Sequence, residues 1–164
     1  MTRPWDPDVA MARITAHEHM QGALLPMLHA LQEEFGYIDD ACVPLLADTL
    51  NISKAEVVGV IHFYHDFRHS PPGKHILRIC RAEACQSMGC ESLVKHIGNR
   101  LDIEIGAGSA EGAFTSLDGS FSIENVFCLG NCALSPALMI DGRLYGRVST
   151  DRVDQLLGET RAAT

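Results

Sequence analysis

Hydrophobic positions in the first part of the chain recur at three- and four-residue steps, the period of helices that bury one face. Asp6-Pro7 supplies an N-cap followed by a proline at the first helical position, predicting a helix to about residue 19. Leu24, Leu25, Leu28, Leu31 and Phe35 mark a second helix from about residue 22, with Pro26 in its first turn and Gly36 as its stop. Asp39 or Asp40 opens a third through Val43, Leu45, Leu46 and Leu50. Ser53-Lys54-Ala55-Glu56 has the form of a capping box and starts a fourth helix through Val57, Val60, Ile61 and Tyr64.

Ser70-Pro71-Pro72-Gly73 breaks this pattern, because consecutive prolines cannot continue a helix and glycine frees the turn. Beyond it the pattern predicts a strand over 75–80, a helix over 91–101 and a short strand over 103–105. A glycine-rich connection over 106–119 leaves room for one more short strand, and 121–127 reads as a partly buried strand. Residues 137–140 and 143–148 form a hairpin about an Asp141-Gly142 turn, and Thr150 opens a last helix through Val153, Leu156 and Leu157. The expectation is a helical domain over 1–72 and a sheet-and-helix domain over 73–164, of α/β (α+β) class.

Composition adds boundaries to this picture. A formal charge of −8 argues against a nucleic-acid groove or an anionic membrane surface, both of which need concentrated Lys and Arg. No apolar run approaches the ~18–20 residues of a membrane span. Residues 1–16 carry Asp6 and Asp8 and do not read as a signal peptide, so the cytoplasm is the expected compartment and reduced thiols the expected state.

The cysteines change the picture most. Cys80 and Cys85 form a C-x4-C pair, and Cys128 and Cys132 a second close pair, each at the end of an apolar run read as a strand. Two such loops suit a binuclear site in which each iron takes one cysteine pair and two sulfides bridge the irons. Gly130 supplies the freedom a tight ligand loop needs. A structural zinc site is the rival, although C-x2-C knuckles are its usual form. The plant-type C-x4-C-x2-C pattern fails because the cysteine after Cys85 is Cys90. Disulfides, or a reactive dithiol without a C-x-x-C motif, are further alternatives.

C-x4-C followed about forty residues later by C-L-G-x-C resembles the thioredoxin-like [2Fe-2S] ferredoxin family, which includes the small iron–sulfur subunit of the flavoprotein part of respiratory complex I. The resemblance extends over about residues 22–157. It takes in Leu31-Gln32-Glu33-Glu34-Phe35-Gly36-Tyr37-Ile38, residues 57–67, Pro72-Gly73-Lys74 and Gly142-Arg143-Leu144-Tyr145-Gly146. It implies a thioredoxin-like second domain and one [2Fe-2S] cluster on Cys80, Cys85, Cys128 and Cys132, with an electron-transfer role and no catalytic residue of its own. It also implies a flavoprotein partner binding FMN, NAD and a further cluster. Cys80-Arg81-Ala82-Glu83-Ala84-Cys85-Gln86-Ser87-Met88-Gly89 is most similar to the gamma subunit of NAD-dependent formate dehydrogenase, which implies a molybdenum-containing catalytic subunit in the same complex. NADH-quinone oxidoreductase and NAD-reducing hydrogenase are the alternatives within the family, and a zinc-stabilised interaction protein the alternative outside it. The exposed aromatic and histidine face of the N-terminal helices is the expected docking surface.

Other residues read more plainly. Cys42 is expected to be a small buried side chain, and Cys90 has no family role. His62, His65 and His69 share one face of the extended fourth helix, and three imidazoles there raise a metal site against the plainer reading of core-edge or partner contacts. Residues 106–112 are not G-x-G-x-x-G, since Glu111 stands where the third glycine belongs. Ser135-Pro136 falls where thioredoxin folds carry a cis proline, and the sequence leaves cis and trans both open there.

Overall fold

The computed structural model describes residues 3–106 and 114–163, which separate into two compact units, Met1–Pro71 and Pro72–Thr164. In the first unit α1 spans Pro7–Thr15, α2 Leu24–Phe35, α3 Cys42–Leu50 and α4 Lys54–Phe63. Asp6 caps α1 by accepting the Asp8 and Val9 amides at 3.0 and 3.3 Å. The helix stops at Thr15 and not near residue 19, because the chain passes into turns before Leu24. Gly36, at φ 83°, closes α2 in the left-handed conformation expected of a helix stop. Ile14, Met27, Leu28, Leu31, Phe35, Leu46, Val57 and Ile61 form the core between the helices.

The capping box of α4 is complete. The Glu56 amide donates to Ser53 Oγ at 3.2 Å, and the Ser53 amide donates to Glu56 Oε2 at 2.9 Å. Ser53→Ala removes the first of these bonds and should cost ~1 kcal/mol, read as a lower urea midpoint of the helical unit. The helix ends at Phe63, so His65 and His69 lie beyond it, and the expected shared helical face is corrected. His62 and His69 do meet, with ring centroids 4.9 Å apart, and His62 Nδ1 is engaged by the Val58 carbonyl at 2.9 Å.

The second unit is a five-stranded sheet with helices, a thioredoxin-like α/β arrangement. Its strands are β1 His75–Cys80, β2 Phe114–Thr115, β3 Phe121–Val126, β4 Leu138–Ile140 and β5 Arg143–Tyr145, in the order β2-β3-β1-β4-β5. β1 and β3 are parallel, with His75 opposite Phe121 and Cys80 opposite Val126; the other pairings are antiparallel. The helices are α5 Glu83–Ser87, α6 Cys90–Leu101 and α7 Thr150–Ala162. Leu77, Ile79, Phe121, Ile123, Leu138 and Ile140 pack with Leu93, Val94, Ile97 and Leu101 of α6 and with Val153, Leu156 and Leu157 of α7. Period-two alternation along β1 thus turns Leu77 and Ile79 to the helices and leaves Arg78 to pair with Glu124 across the strand at 2.8 Å.

Residues 103–105 are irregular and not the expected strand, while the short strand allowed for in the glycine-rich connection is β2. The expected third glycine position, 111, lies outside the described residues. The hairpin turns where expected, with Asp141 at φ 48° and Gly142 at φ 82°, the two positive angles of a tight two-residue turn. Its second strand stops at Tyr145, short of residue 148. Ser135-Pro136 is cis. Among the described residues no helix is long and apolar enough to cross a membrane.

Candidate metal centre

The register of two parallel strands brings the cysteine pairs together. Cys80 is the last residue of β1 and lies opposite Val126, the last of β3, so the loops leaving the two strands begin side by side at their carboxyl ends. The Arg81 amide extends the ladder to the Val126 carbonyl at 2.8 Å, and the Cys80 amide donates to the Ala137 carbonyl at 3.2 Å. Cys85 follows on α5, a helix that the sequence pattern missed because its five residues are too few to show a period. Cys80 and Cys85 are buried in a small apolar cluster with Cys90 and Ala137, while Cys128 and Cys132 are exposed.

The second pair is shaped by its backbone. Cys128 has φ 117°, a conformation that a residue with a β-carbon adopts at a cost of ~1–3 kcal/mol and that clusters at functional sites. Gly130, at φ 74°, completes the bend and turns its amide onto Cys128 Sγ at 3.3 Å. The Cys128 and Cys132 sulfurs stand 3.7 Å apart. Two thiolates on one tetrahedral metal, with metal–sulfur bonds of about 2.3 Å, stand about 3.8 Å apart. The pair therefore already has the spacing of two ligands on one ion.

The first pair is shaped by electrostatics. Burial raises the Cys80 thiol, but hydrogen bonds from the Ala82, Leu129 and Cys128 amides and from the Cys85 thiol outweigh it and hold Cys80 below the ordinary thiol range. Burial pushes Cys85 up; Ser135 counters this and Cys80 adds to it. Cys132 is raised chiefly by the Cys128 sulfur beside it, with smaller effects of burial and of Cys80 and Cys85. The four sulfurs thus lie in one electrostatic neighbourhood, grouped in twos. Among the described residues no three or more His, Cys, Asp or Glu side chains make a site for a single metal ion. Paired thiolates with converging amides are the donor set of a binuclear sulfide-bridged centre, in which each iron needs only two protein ligands.

The remaining cysteines are not members of either pair, although Cys90 packs beside the first. Burial raises Cys90 to about 11, with Glu91 adding to the rise, and its sulfur reaches Glu91 Oε1 only at 3.9 Å. Cys42, in the helical unit, is pushed up to about 12 by burial, as a small core side chain would be. Sequence reasoning missed two polar groups. Arg81, next to Cys80, is buried and gives its guanidinium to the Glu91 carboxylate at 2.9 and 2.6 Å and to the Gly106 carbonyl at 2.6 Å. Ser135 is buried between the two pairs, though the sequence marked it only as the residue before Pro136.

The family model of the thioredoxin-like [2Fe-2S] ferredoxins matches residues 10–161. The chain belongs to that family. Among curated relatives, an NADH-quinone oxidoreductase subunit of Pseudomonas aeruginosa is 37% identical over 141 residues, 86% of this chain and 81% of that subunit. The HndA subunit of the NADP-reducing hydrogenase of Solidesulfovibrio fructosivorans is 34% identical over 139 residues, 85% of this chain and 77% of that subunit. The corresponding NADH-quinone oxidoreductase subunit of Escherichia coli K12 is 28% identical over 141 residues, 86% of this chain and 81% of that subunit. The crystal structure of an air-oxidized NAD+-reducing [NiFe]-hydrogenase shares the fold, with TM-score 0.67 and 22% identity over 85% of this chain. The chain spans only 23% of that hydrogenase chain. None of these relatives is a formate dehydrogenase.

Proposed function

We propose that this protein is the electron-transfer subunit of an NAD-linked oxidoreductase and holds one [2Fe-2S] cluster on Cys80, Cys85, Cys128 and Cys132. The observation that carries the reading is the alignment of two thiol pairs at the ends of adjacent parallel strands, one pair already 3.7 Å apart. When bound, the cluster supplies one-electron redox chemistry. The residues around it do the rest. The amides of Ala82, Cys128 and Leu129 favour negative charge at Cys80, and the Gly130 amide does so at Cys128. Cys80 and Cys85 exclude water from one half of the site, whereas the exposed Cys128–Cys132 half, beside Phe127 at 57% exposure, gives an electron its short path to a partner.

Hydride chemistry moves electrons in pairs, so this chain needs a flavin on another subunit to divide them. A flavoprotein subunit binding FMN and NAD fills that role in our reading, with the whole assembly in the cytoplasm. The aromatic end of α4, where Phe63 is 73% exposed, is a second surface for it. Within this reading the Cys80-to-Gly89 segment favours formate dehydrogenase, and with it a molybdenum-containing catalytic subunit. The relatives' names support the alternatives, NADH-quinone oxidoreductase or a hydrogenase.

Isolation of the native complex through a tag on this chain tests the assignment. Formate-dependent NAD+ reduction together with molybdenum is the expected result. Quinone-linked NADH oxidation, or hydrogen-dependent reduction of a nicotinamide, without molybdenum would replace formate dehydrogenase by the corresponding relative. A complex with no oxidoreductase activity and no flavin would overturn the electron-transfer reading.

A further inference from the structure

Ser135 connects the two cysteine pairs through a single hydroxyl. The residue is 9% exposed, and its Oγ lies 3.6 Å from Cys85 Sγ and 2.7 Å from the Cys132 carbonyl oxygen. With Cys85 protonated the hydroxyl donates to the Cys132 carbonyl, and its oxygen faces a thiol whose single hydrogen has Oγ and the Cys80 sulfur as alternative acceptors. Ligation removes the thiol proton. The Cys85 sulfur is then a charged acceptor facing a hydroxyl that has one hydrogen and two acceptors within reach.

We propose that Ser135 is a positioning residue which, in the loaded site, turns its hydroxyl hydrogen onto the Cys85 sulfur and so raises the reduction potential of the centre. The inference rests on the ligand assignment proposed above. Two observations and one general principle carry it. The hydroxyl is buried, so water does not readily replace it at the sulfur. The Cys132 carbonyl also accepts the Ser135 backbone amide at 3.3 Å, so it keeps a partner when the hydroxyl turns away. The sulfur, once ionised, is the stronger acceptor of the two.

Reduction adds one electron and takes the formal charge of the four-thiolate centre from about −2 to about −3, while the hydroxyl hydrogen stays on Oγ. A hydrogen bond to sulfur gains strength as that charge grows, so it stabilises the reduced form more than the oxidised one. Deleting the donor therefore makes the centre harder to reduce.

The test compares Ser135→Ala, Ser135→Val and Ser135→Thr in the full chain by mediated redox titration followed by EPR, with iron and sulfide measured on each sample. Threonine and valine have nearly the same shape and differ in the hydroxyl. The expected result is full iron and sulfide in Ser135→Ala, and a one-electron equilibrium constant shifted about tenfold toward the oxidised form, equivalent to about 59 mV. Ser135→Val should show the same shift and Ser135→Thr should restore the starting potential. An unchanged potential in a fully loaded Ser135→Ala overturns the proposal, as do equal shifts in the threonine and valine variants. Loss of iron and sulfide from Ser135→Ala also overturns it, since the hydroxyl would then serve assembly. An unaltered chain that carries no sulfide is a different result, because it sinks the ligand assignment itself.

Discussion

Cys80→Ser and Cys128→Ser are each expected to purify with about a tenth or less of the iron and sulfide of the unaltered chain, because in the proposed assignment each iron depends on both members of its pair. Serine offers a harder oxygen on a shorter bond, where a soft thiolate is needed. The Cys80 variant should be the more severely affected. Amides of Ala82, Leu129 and Cys128 converge on that sulfur, and the residue is 2% exposed, so its surroundings cannot easily contract onto a smaller atom. Cys128 is exposed and its loop already holds a strained backbone, which leaves more room for a partly retained centre. Cys90→Ala is the matched control. Cys90 packs beside Cys80 and Cys85 but points its thiol toward Glu91, so the variant should keep its full iron and sulfide and lose only core packing. Loss of the centre from Cys90→Ala, with retention in Cys80→Ser, would reassign the first pair.

Gly146→Ala should damage the same site from outside it. A β-carbon at this position would meet Leu134 Cβ at 2.6 Å, Asn131 Nδ2 at 2.7 Å and the Leu134 carbonyl oxygen at 2.9 Å. Two of these atoms cannot rotate away, so the 131–134 segment that carries Cys132 has to move. That shift also threatens the hydrogen bonds from the Arg147 amide to the Leu134 carbonyl at 2.6 Å and from the Val148 amide to the Pro136 carbonyl at 3.1 Å. Overpacking and one lost hydrogen bond together should cost ~2–4 kcal/mol, seen as a lower urea midpoint. Iron retention should fall as well, since the 3.7 Å Cys128–Cys132 spacing depends on that segment. Gly158→Ala, on α7 with open space at its β-carbon, should be neutral or stabilising and serves as the comparison.

Local chemistry was legible in the sequence wherever a few adjacent residues decide it. The Asp6 cap, the Ser53–Glu56 box and the Asp141-Gly142 turn appear where their residue types predict, because each is closed by partners within three positions. The cysteine pairs were legible for the same reason, since close spacing on a loop after an apolar strand limits what the sulfurs can do. Effects that depend on distant packing were not legible. Nothing in the sequence says that Gly146 lies against Leu134, that Arg81 is buried beneath Glu91, or that the Ser135 hydroxyl faces Cys85. Residues 103–105 alternate like a strand yet find no ladder partner among the described residues, and the Ile103 amide instead closes onto the Gly98 carbonyl at 2.9 Å at the end of α6. The histidine series failed differently: its spacing assumed a helix that continues past Phe63, and the chain leaves the helical conformation at Tyr64, with ψ 100°.

The most direct test of the centre is anaerobic purification of the full chain, iron and acid-labile sulfide analysis, and EPR of the dithionite-reduced protein. About two irons and two sulfides per chain, with a spin-half signal integrating to about one spin, is the predicted result. Zinc without sulfide, in a colourless protein that gives no signal on reduction, would contradict it and make the paired cysteines a structural zinc site.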